Sequence, residues 1–415
     1  MTAAAENPAA PIDLLSPDLT TDPFAQYARM REQAPILAGT VMGSSMWLVT
    51  RYDDVRQVLT DPRFVTDVAS VTGGDPDAQH AILKQLNIPS DVVDLIEKAM
   101  MNLDGAPHAR LRNLVSRAFT ARRVAEMRPR IEEITATLLD RMAEAGRDGT
   151  PVDLVKAFCY PVPIAVVCEL VGIDEADRPQ WHEWGRVLSL MEVERLPAIL
   201  RECADHVSEV ITRRRAEPRD DLISALIQVQ EDDGDRLSDR EMVTLVFTLV
   251  TAGHESTTYL LGNSVLALLE NPGQLELLRA DPSRWQPAVR ELMRLGPSQF
   301  AQPRYAAEDM ELGGVRIPAG SAVTPLLLAA NTDPRKYEHP ERLNVCRGAG
   351  NHVGFGMGPH YCLGAPLAYL EAEVSLRALF DRFPGLSLAV PREELPWALR
   401  PGFTRVAELP LSLTT

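Results

Sequence analysis

The sequence has few of the features that would place a protein in a membrane, outside the cell or on nucleic acid. Its longest apolar run, Met242 to Gly253, contains threonines and falls well short of the about 20 residues that cross a bilayer. The N-terminus, Met1 to Asp22, has neither the basic nor the apolar region of a signal peptide. The five cysteines are scattered without CxxC or CxxH spacing, which argues against a zinc cage and a covalently attached haem, and favours a reducing cytoplasm.

The net charge of −16, from 58 acidic and 42 basic residues, argues against nucleic acid as a partner. One segment departs from this balance, because Arg110 to Arg130 contains seven arginines and a single acid, Glu126. Such a segment is either a solvated helix face or a docking surface for an acidic protein. The sequence alone leaves both interpretations open.

The chain has 415 residues, of which 45% are hydrophobic, so it can bury a large core. No linker, repeat or charge block interrupts the sequence after about residue 20, which favours one large domain over several. We therefore predict a flexible segment over 1–22, followed by a single domain over 23–415. The hydrophobic periodicity predicts a mainly α fold with a small β region near each end of the chain.

The longest predicted helix begins at a capping box, Ser238 to Glu241, and ends at Asn271-Pro272. The segment 64–101 mixes glycine, proline and short apolar runs, and is predicted to be rich in loops. The further predictions are helices at 52–59, 107–118, 122–145, 153–171, 180–190, 195–215 and 219–230, strands at 46–50, 386–390 and 406–413, and a hairpin over 315–323.

A lone cysteine, Cys362, lies in a glycine-rich loop directly ahead of an apolar, alanine-rich stretch. Glycines at 356, 358 and 364 permit tight turning, and Pro366 suits the first turn of a following helix. A helix N-terminus favours a thiolate, which in this setting suits one axial bond to a haem iron. Two alternatives are a small buried hydrophobic side chain and a nucleophile that needs a base such as His360.

Glu255 is the single acid of the long helix between Glu241 and Glu270. An isolated carboxylate in an apolar setting is costly unless it is used, and Gly253 weakens a helix interior. Together they predict a local break with room for a small ligand; the alternative is a solvated helix face. His254 is predicted to point away from that site and to be structural.

The loop from Phe355 to Gly364 resembles the haem-binding loop of the cytochrome P450 family. The stretch Ala252 to Ser256 resembles the family's oxygen-activating segment, with serine in place of the usual threonine. This resemblance extends over about residues 23–411 and implies the cytochrome P450 fold with haem b (iron protoporphyrin IX) as cofactor. It implies an iron ligand, Cys362; catalytic residues, Glu255 and Ser256; and haem contacts, Ala252, Gly253, Phe355, Gly356 and Gly364.

The two propionates of a haem need cations and hydrogen-bond donors. His108 and Arg112 are four residues apart and share one helix face, and the resemblance implies that they, with Arg304 and His360, bind propionate. It also implies that Glu291 and Arg294 of an ExxR motif form a structural network with Arg342. The residue after Arg342 is leucine, where the family usually has phenylalanine.

As a whole, the resemblance implies a bacterial-type monooxygenase that uses O2 to oxidise an apolar small molecule of secondary metabolism. It implies a ferredoxin-type electron donor with its NAD(P)H reductase, a cytoplasmic location, and neither membrane nor nucleic acid as partner. Hydroxylation, epoxidation and oxidative coupling are all compatible with the sequence. The alternatives are a haem gas sensor or oxygen carrier, and a thiol enzyme without haem.

Several segments are expected to line the substrate pocket, and most of their residues are small or apolar. They are the 64–103 loop, the 181–205 segment, Val246 and Leu249, Ser298 to Ala301, and Phe403.

Overall fold

A computed structural model describes residues 11–41, 43–71, 87–190, 192–232, 237–296, 298, 300–348, 351–400 and 402–413. The helices are α1 (Pro17–Thr21), α2 (Pro23–Gln33), α3 (Tyr52–Thr60), α4 (Ser90–Glu97), α5 (Gly105–Ala118), α6 (Ala121–Glu126), α7 (Arg128–Ala145), α8 (Pro161–Val171), α9 (Arg178–Leu190), α10 (Leu196–Ala216), α11 (Leu222–Asp232), α12 (Asp239–Glu270), α13 (Pro272–Ala280), α14 (Trp285–Arg294), α15 (Leu327–Asn331) and α16 (Ala365–Arg382).

The strands are short and lie mainly near the two ends of the chain, as predicted. They are β1 (Ile12–Asp13), β2 (Ile36–Val41), β3 (Ser44–Val49), β4 (Phe64–Val65), β5 (Val152–Asp153), β6 (Arg304–Ala306), β7 (Met310–Leu312), β8 (Val315–Ile317), β9 (Ala322–Pro325), β10 (Ser387–Leu388), β11 (Trp397–Arg400), β12 (Phe403–Val406) and β13 (Pro410–Ser412). The largest sheet has the order β1-β2-β3-β9-β6-β4, and smaller sheets pair β10-β13-β5, β11-β12 and β7-β8.

The long helix α12 organises the fold. Its capping box is confirmed, because the Glu241 backbone N–H donates to Ser238 Oγ at 3.2 Å and the Ser238 N–H donates to Glu241 Oε2 at 2.7 Å. Around it pack α8, α10 and α16, all with apolar faces. Since α12 is surrounded by other helices, functional side chains at its centre can face the interior of the molecule.

Residues 11–22 correct the prediction of a flexible N-terminal segment. Ile12 and Asp13 pair in parallel with Gly39 and Thr40 of β2, and the side chain of Leu14 is fully buried. Apolar contacts and a sheet edge therefore hold this part of the chain against the body of the protein. The first part of that segment, before residue 11, lies outside the described residues.

Several other predictions were wrong in detail: the predicted helix over 153–171 begins with the end of β5 and a π-helical turn, and the predicted strand over 406–413 is divided between β12 and β13. The predicted helix over 122–145 is two helices, α6 and α7, which meet at Met127 just before Pro129. The predicted hairpin over 315–323 does not form, because β8 pairs with β7 through the tight turn at Gly313 and Gly314, both with positive φ. The strand β9 instead joins the large sheet between β3 and β6.

Candidate active site

The loop that carries Cys362 is held by its own backbone. Gly356 and Gly358 both have φ of 71°, a left-handed conformation that glycine adopts without strain. A Cβ at Gly358 would lie 2.6 Å from the carbonyl oxygen of Leu59 at the end of α3, so a side chain is also excluded by contact. The Cys362 N–H donates to the Phe355 carbonyl at 2.9 Å, which fixes the cysteine at the base of the loop.

The sulfur of Cys362 lies just before α16, which begins at Ala365 after the N-cap Gly364. The backbone N–H groups of Gly364 and Ala365 hydrogen-bond to this sulfur, and the guanidinium of Arg112 also stabilises the thiolate. Burial is nevertheless the largest effect and raises the pKa of the thiol. Coordination to a metal ion overcomes such a shift, because a bound metal deprotonates a coordinating thiol.

A group of cationic and histidine side chains lies beside the cysteine loop. The rings of His108 and His360 have centroids 4.2 Å apart, and Arg304 is 6% exposed. Burial, together with His360 and Arg112, lowers the pKa of His108 to about 4. Within the described residues, neither Arg112 nor Arg304 forms a salt bridge with a carboxylate; burial lowers the pKa of both guanidinium groups. An anionic ligand would therefore balance the positive charge of these two side chains.

Asp104 is a residue of this group that the sequence analysis missed. Its carboxylate accepts hydrogen bonds from the backbone N–H groups of Thr66 (2.6 Å) and Asp67 (2.8 Å) and contacts His360 Nε2 at 3.2 Å. These donors hold the pKa of the Asp104 carboxyl well below its usual range, although burial opposes them. Asp104 thus stays ionised and orients His360 towards the cation group. Its place as the N-cap of α5, four residues before His108, could have indicated it.

The middle of α12 presents an accessible stripe within an otherwise buried helix. The residues of the stripe share one helix face and are flanked by the buried Val250 and His254. They are Thr248, Leu249, Ala252, Gly253 and Ser256. The stripe leaves room for a flat ligand beside the helix backbone. The helix is nevertheless continuous from Asp239 to Glu270, so the predicted local break at Gly253 was wrong.

The hydroxyl and the acid of this segment point in different directions. The Ser256 Oγ donates to the Ala252 carbonyl at 3.3 Å and stays on the accessible stripe. The Glu255 Oε1 accepts a hydrogen bond from the hydroxyl of Tyr259, a partner that the sequence analysis did not identify. The neighbouring His254 is 2% exposed, with Nδ1 3.0 Å from the Val250 carbonyl, so its predicted structural position is confirmed.

A buried ion-pair network is linked through Asn331 to Val353, just before the cysteine loop. Its third member is not the predicted one. Glu291 and Arg294 pair at 2.7 Å, with both side chains 2% exposed. The second arginine on Glu291 is Arg347, whose Nε lies 3.0 Å from Oε1. Arg342 points outwards with 73% of its side chain exposed and pairs only with Glu341 among the described residues. The resemblance pointed to Arg342, but the fold brings Arg347, five residues later, to the Glu291 carboxylate.

These residues fit a haem. One sulfur with backbone donors would bind the iron, Arg112 and Arg304 form no salt bridge with a carboxylate among the described residues, and the α12 stripe offers a surface for a flat ring. A haem-thiolate enzyme requires such a set of residues.

Comparison with known proteins identifies the family. The family model for cytochrome P450 matches residues 181–283 and 285–397. The chain is 41% identical to the 6-deoxyerythronolide B hydroxylase of Saccharopolyspora erythraea, over 93% of this chain and 94% of that protein. It is 39% identical to the mycinamicin IV hydroxylase/epoxidase of Micromonospora griseorubida, over 90% of this chain and 91% of that protein. The ligand-free structure of the P450 monooxygenase TamI superposes with a TM-score of 0.87 at 35% identity, over 98% of this chain and 95% of that chain.

The chain belongs to the cytochrome P450 family, and its fold and haem cofactor are those of that family. It is a monooxygenase. In the described part of the chain, none of the helices combines the length and apolar character needed to span a membrane.

Proposed function

We propose that Cys362 binds the iron of haem b, and that His108, Arg112, Arg304 and His360 bind its propionates. The observation that carries this proposal is that a sulfur with backbone donors lies near Arg112, and that Arg112 and Arg304, both close to His108, form no salt bridge with a carboxylate among the described residues. Phe355, Gly356 and Gly364 shape the loop around the sulfur. Ala252 and Gly253 lie along the accessible stripe of α12, where the absence of large side chains permits close contact with the ring.

When bound, the haem supplies the activation of O2, and the protein supplies binding, orientation and protons. Ser256 Oγ lies one hydrogen bond from the Ala252 carbonyl and is free to turn towards a ligand on the stripe. Glu255 is the acid of this segment and can exchange protons through Tyr259 or water. In this proposal Glu255 supplies a proton, and the Ser256 hydroxyl passes it into the pocket where O2 binds.

Replacing Ser256 with alanine tests the proton route. We expect Ser256→Ala to keep its haem and substrate affinity, yet to divert electrons to peroxide, because the hydroxyl on the stripe is lost. Glu255→Ala is expected to slow proton delivery by about tenfold or more. Ser256→Thr is the matched control and should be tolerated, since it restores the hydroxyl with a stiffer χ1. The measurement is product per NADH beside peroxide. If Ser256→Ala forms as much product per NADH as the parent, the protons travel by another route, for example through Thr257.

We propose a sizeable apolar natural product as substrate, in line with the macrolide substrates named for two of the relatives. Leu249, on the accessible stripe, and Phe403 remain candidates for the pocket wall. Val246 does not, because it is fully buried in the main core. Part of the proposed lining, including residues 72–86, 191 and 299, lies outside the described residues.

A spectral-shift titration would test the substrate class. Adding 6-deoxyerythronolide B or mycinamicin IV to the purified holoprotein should shift the haem absorption, because an apolar ligand bound beside the α12 stripe would exclude water from the pocket. A response to small polar compounds alone, with none to macrolides, would contradict the proposed class. The reaction type, whether hydroxylation, epoxidation or coupling, follows from analysis of the product.

We propose that a ferredoxin-type protein with an NAD(P)H reductase donates the electrons. The support from the basic stretch is narrower than its sequence suggests, because five of its seven arginines already pair with acids in the protein. The pairs are Arg110–Glu241, Arg122–Glu126, Arg123–Asp220, Arg128–Glu373 and Arg130–Glu133. Arg117 is exposed on α5, the helix that carries Arg112.

We expect the reduction rate by an acidic ferredoxin to fall steeply with salt, since exposed charges are screened beyond about 10 Å at roughly 0.1 M. Charge reversal at Arg117 or Arg122 should slow reduction without loss of haem. Arg112→Ala should also lower haem occupancy, because Arg112 is beside Cys362. Stopped-flow reduction at several salt concentrations is the measurement. A flat salt response, with unchanged rates in both charge-reversal variants, would contradict this docking surface.

We also propose that the domain extends to residue 415 and acts in the cytoplasm. The five cysteines are all free thiols in the structure, as expected in a reducing compartment.

A further inference from the structure

Tyr259 lies one helical turn after Glu255 in α12. Its side chain is 2% exposed, although tyrosine carries a polar hydroxyl. That hydroxyl donates to Glu255 Oε1, and the two residues share a helix face because they are four positions apart. A hydrogen bond to a carboxylate is about twice as strong as one between neutral groups. The contact therefore fixes the direction of the Glu255 side chain.

This direction leads away from Ser256. Consecutive residues on a helix do not face each other. The Ser256 hydroxyl bonds to the Ala252 carbonyl, towards the N-terminal end of α12, whereas the Glu255 carboxylate reaches towards its C-terminal end. The acid and the hydroxyl are thus held on two sides of the helix. The hydrogen bond from Tyr259 therefore determines the position of the Glu255 carboxylate, which supplies the proton.

The ring of Tyr259 is in turn fixed by the strand β12. Its centroid lies 5.6 Å from that of Phe403, and the guanidinium carbon of Arg405 lies 5.3 Å from the ring centroid. One turn further along α12, Asn263 Nδ2 donates to the Thr404 carbonyl at 2.9 Å. Phe403 also forms a β-bridge with Ser298, in the segment that follows α14. The strand that borders the proposed substrate pocket is therefore in direct contact with the residue that holds Glu255.

We propose that Tyr259 is a positioning residue for the reaction: its hydroxyl holds the Glu255 carboxylate on the β12 side of α12, and the packing of Phe403 and Arg405 sets the position of that hydroxyl. A substrate that moves Phe403 thereby changes the position of the acid. This inference rests on the role of Glu255 given under Proposed function.

Tyr259→Phe is the direct test, because it removes the hydroxyl and keeps the ring that packs on Phe403 and Arg405. The probe is 6-deoxyerythronolide B or mycinamicin IV, whichever gives the larger spectral shift. We expect product per NADH to fall by about fivefold, less than in Glu255→Gln, where a loss of about tenfold or more is expected. The dissociation constant of the probe and the haem content should stay within about twofold, a split that general damage to the pocket would not produce.

A double-mutant cycle supplies a readout that requires neither substrate nor turnover. Denaturant midpoints are measured for the parent, Tyr259→Phe, Glu255→Gln and the double variant. If the hydroxyl and the carboxylate interact, the two midpoint shifts are not additive. Glu255→Asp serves as a second variant, because its shorter side chain keeps the acid but withdraws it from Tyr259, and it should lose coupling as Tyr259→Phe does.

The outcomes separate the two proposals. If Glu255→Gln forms as much product per NADH as the parent, the role of Glu255 itself is overturned. If product per NADH falls in Glu255→Gln but stays at the parental value in both Tyr259→Phe and Glu255→Asp, and the midpoint shifts are additive, the positioning role is overturned and that of Glu255 stays intact. Reduced coupling in Tyr259→Phe together with non-additive midpoints supports the inference.

Discussion

Replacing Cys362 with alanine is expected to abolish the thiolate-type carbon monoxide difference spectrum of the reduced protein, and NADH-driven product formation with it. The reason is local: the Cys362 sulfur receives two backbone N–H groups ahead of α16 and lies near the guanidinium of Arg112. Alanine offers the iron no ligand at this position. Haem binding itself is expected to weaken without being lost, because the cationic side chains proposed to bind the propionates remain.

The other cysteines provide matched controls for this result. Cys159, Cys168 and Cys203 are fully buried in the main core, and burial raises the pKa of Cys168 to about 12. Cys346 is exposed and accepts a hydrogen bond from Arg284 at 2.9 Å. Cys346→Ala should therefore keep the parental spectrum. A thiolate-type spectrum that survives in Cys362→Ala, or disappears in Cys346→Ala instead, would show that the ligand is another cysteine.

The second large effect is expected at the buried pair beneath the cysteine loop. Glu291→Ala leaves Arg294 without its carboxylate, and an unpaired buried charge costs about 3–5 kcal/mol. Arg294 also donates to the carbonyl oxygens of Asn331 (2.7 Å) and Pro340 (2.6 Å), so the loss would extend into the chain that leads to the cysteine loop. We expect a much lower denaturant midpoint and poor haem retention, followed by circular dichroism and haem absorption.

Two arginines distinguish this network from the one that the sequence predicted. Arg347→Ala removes the contact of 3.0 Å with Glu291 and should destabilise the protein clearly. Arg342→Ala should change the free energy of unfolding by no more than about 0.5 kcal/mol, because its side chain is largely exposed. If instead Arg342→Ala is the damaging variant, the structural assignment of the network is wrong.

Local signals were enough to predict much of the helical framework. The capping box and the Asn-Pro stop gave the long helix its observed ends, since both signals act within a few residues. The division between α6 and α7 was missed, because apolar periodicity continues across Met127 and Pro129 is tolerated in a first helical turn. Pairing of the short strands was also beyond the sequence, as the error at 315–323 shows. Which strands pair depends on where the sheet brings distant segments together.

At the site, the sequence identified residues that carry a motif and missed those defined by contact alone. His108 and His360 belong to recognisable spacings, and the structure places their rings 4.2 Å apart, while their binding of propionate stays a prediction. Asp104 offered only its position as the N-cap of α5, and Tyr259 carries no pattern at all, so its role follows only from the atoms that it touches. Arg347 is a similar case, because only the path of the chain after Pro340 brings it to Glu291.

The carbon monoxide difference spectrum of the reduced wild-type holoprotein tests the central claim, that this chain is a haem-thiolate cytochrome P450 with Cys362 as ligand. We expect a thiolate-type band with an intensity that corresponds to one haem per chain. A protein that stays colourless after haem supplementation, or a band typical of histidine ligation, would contradict it.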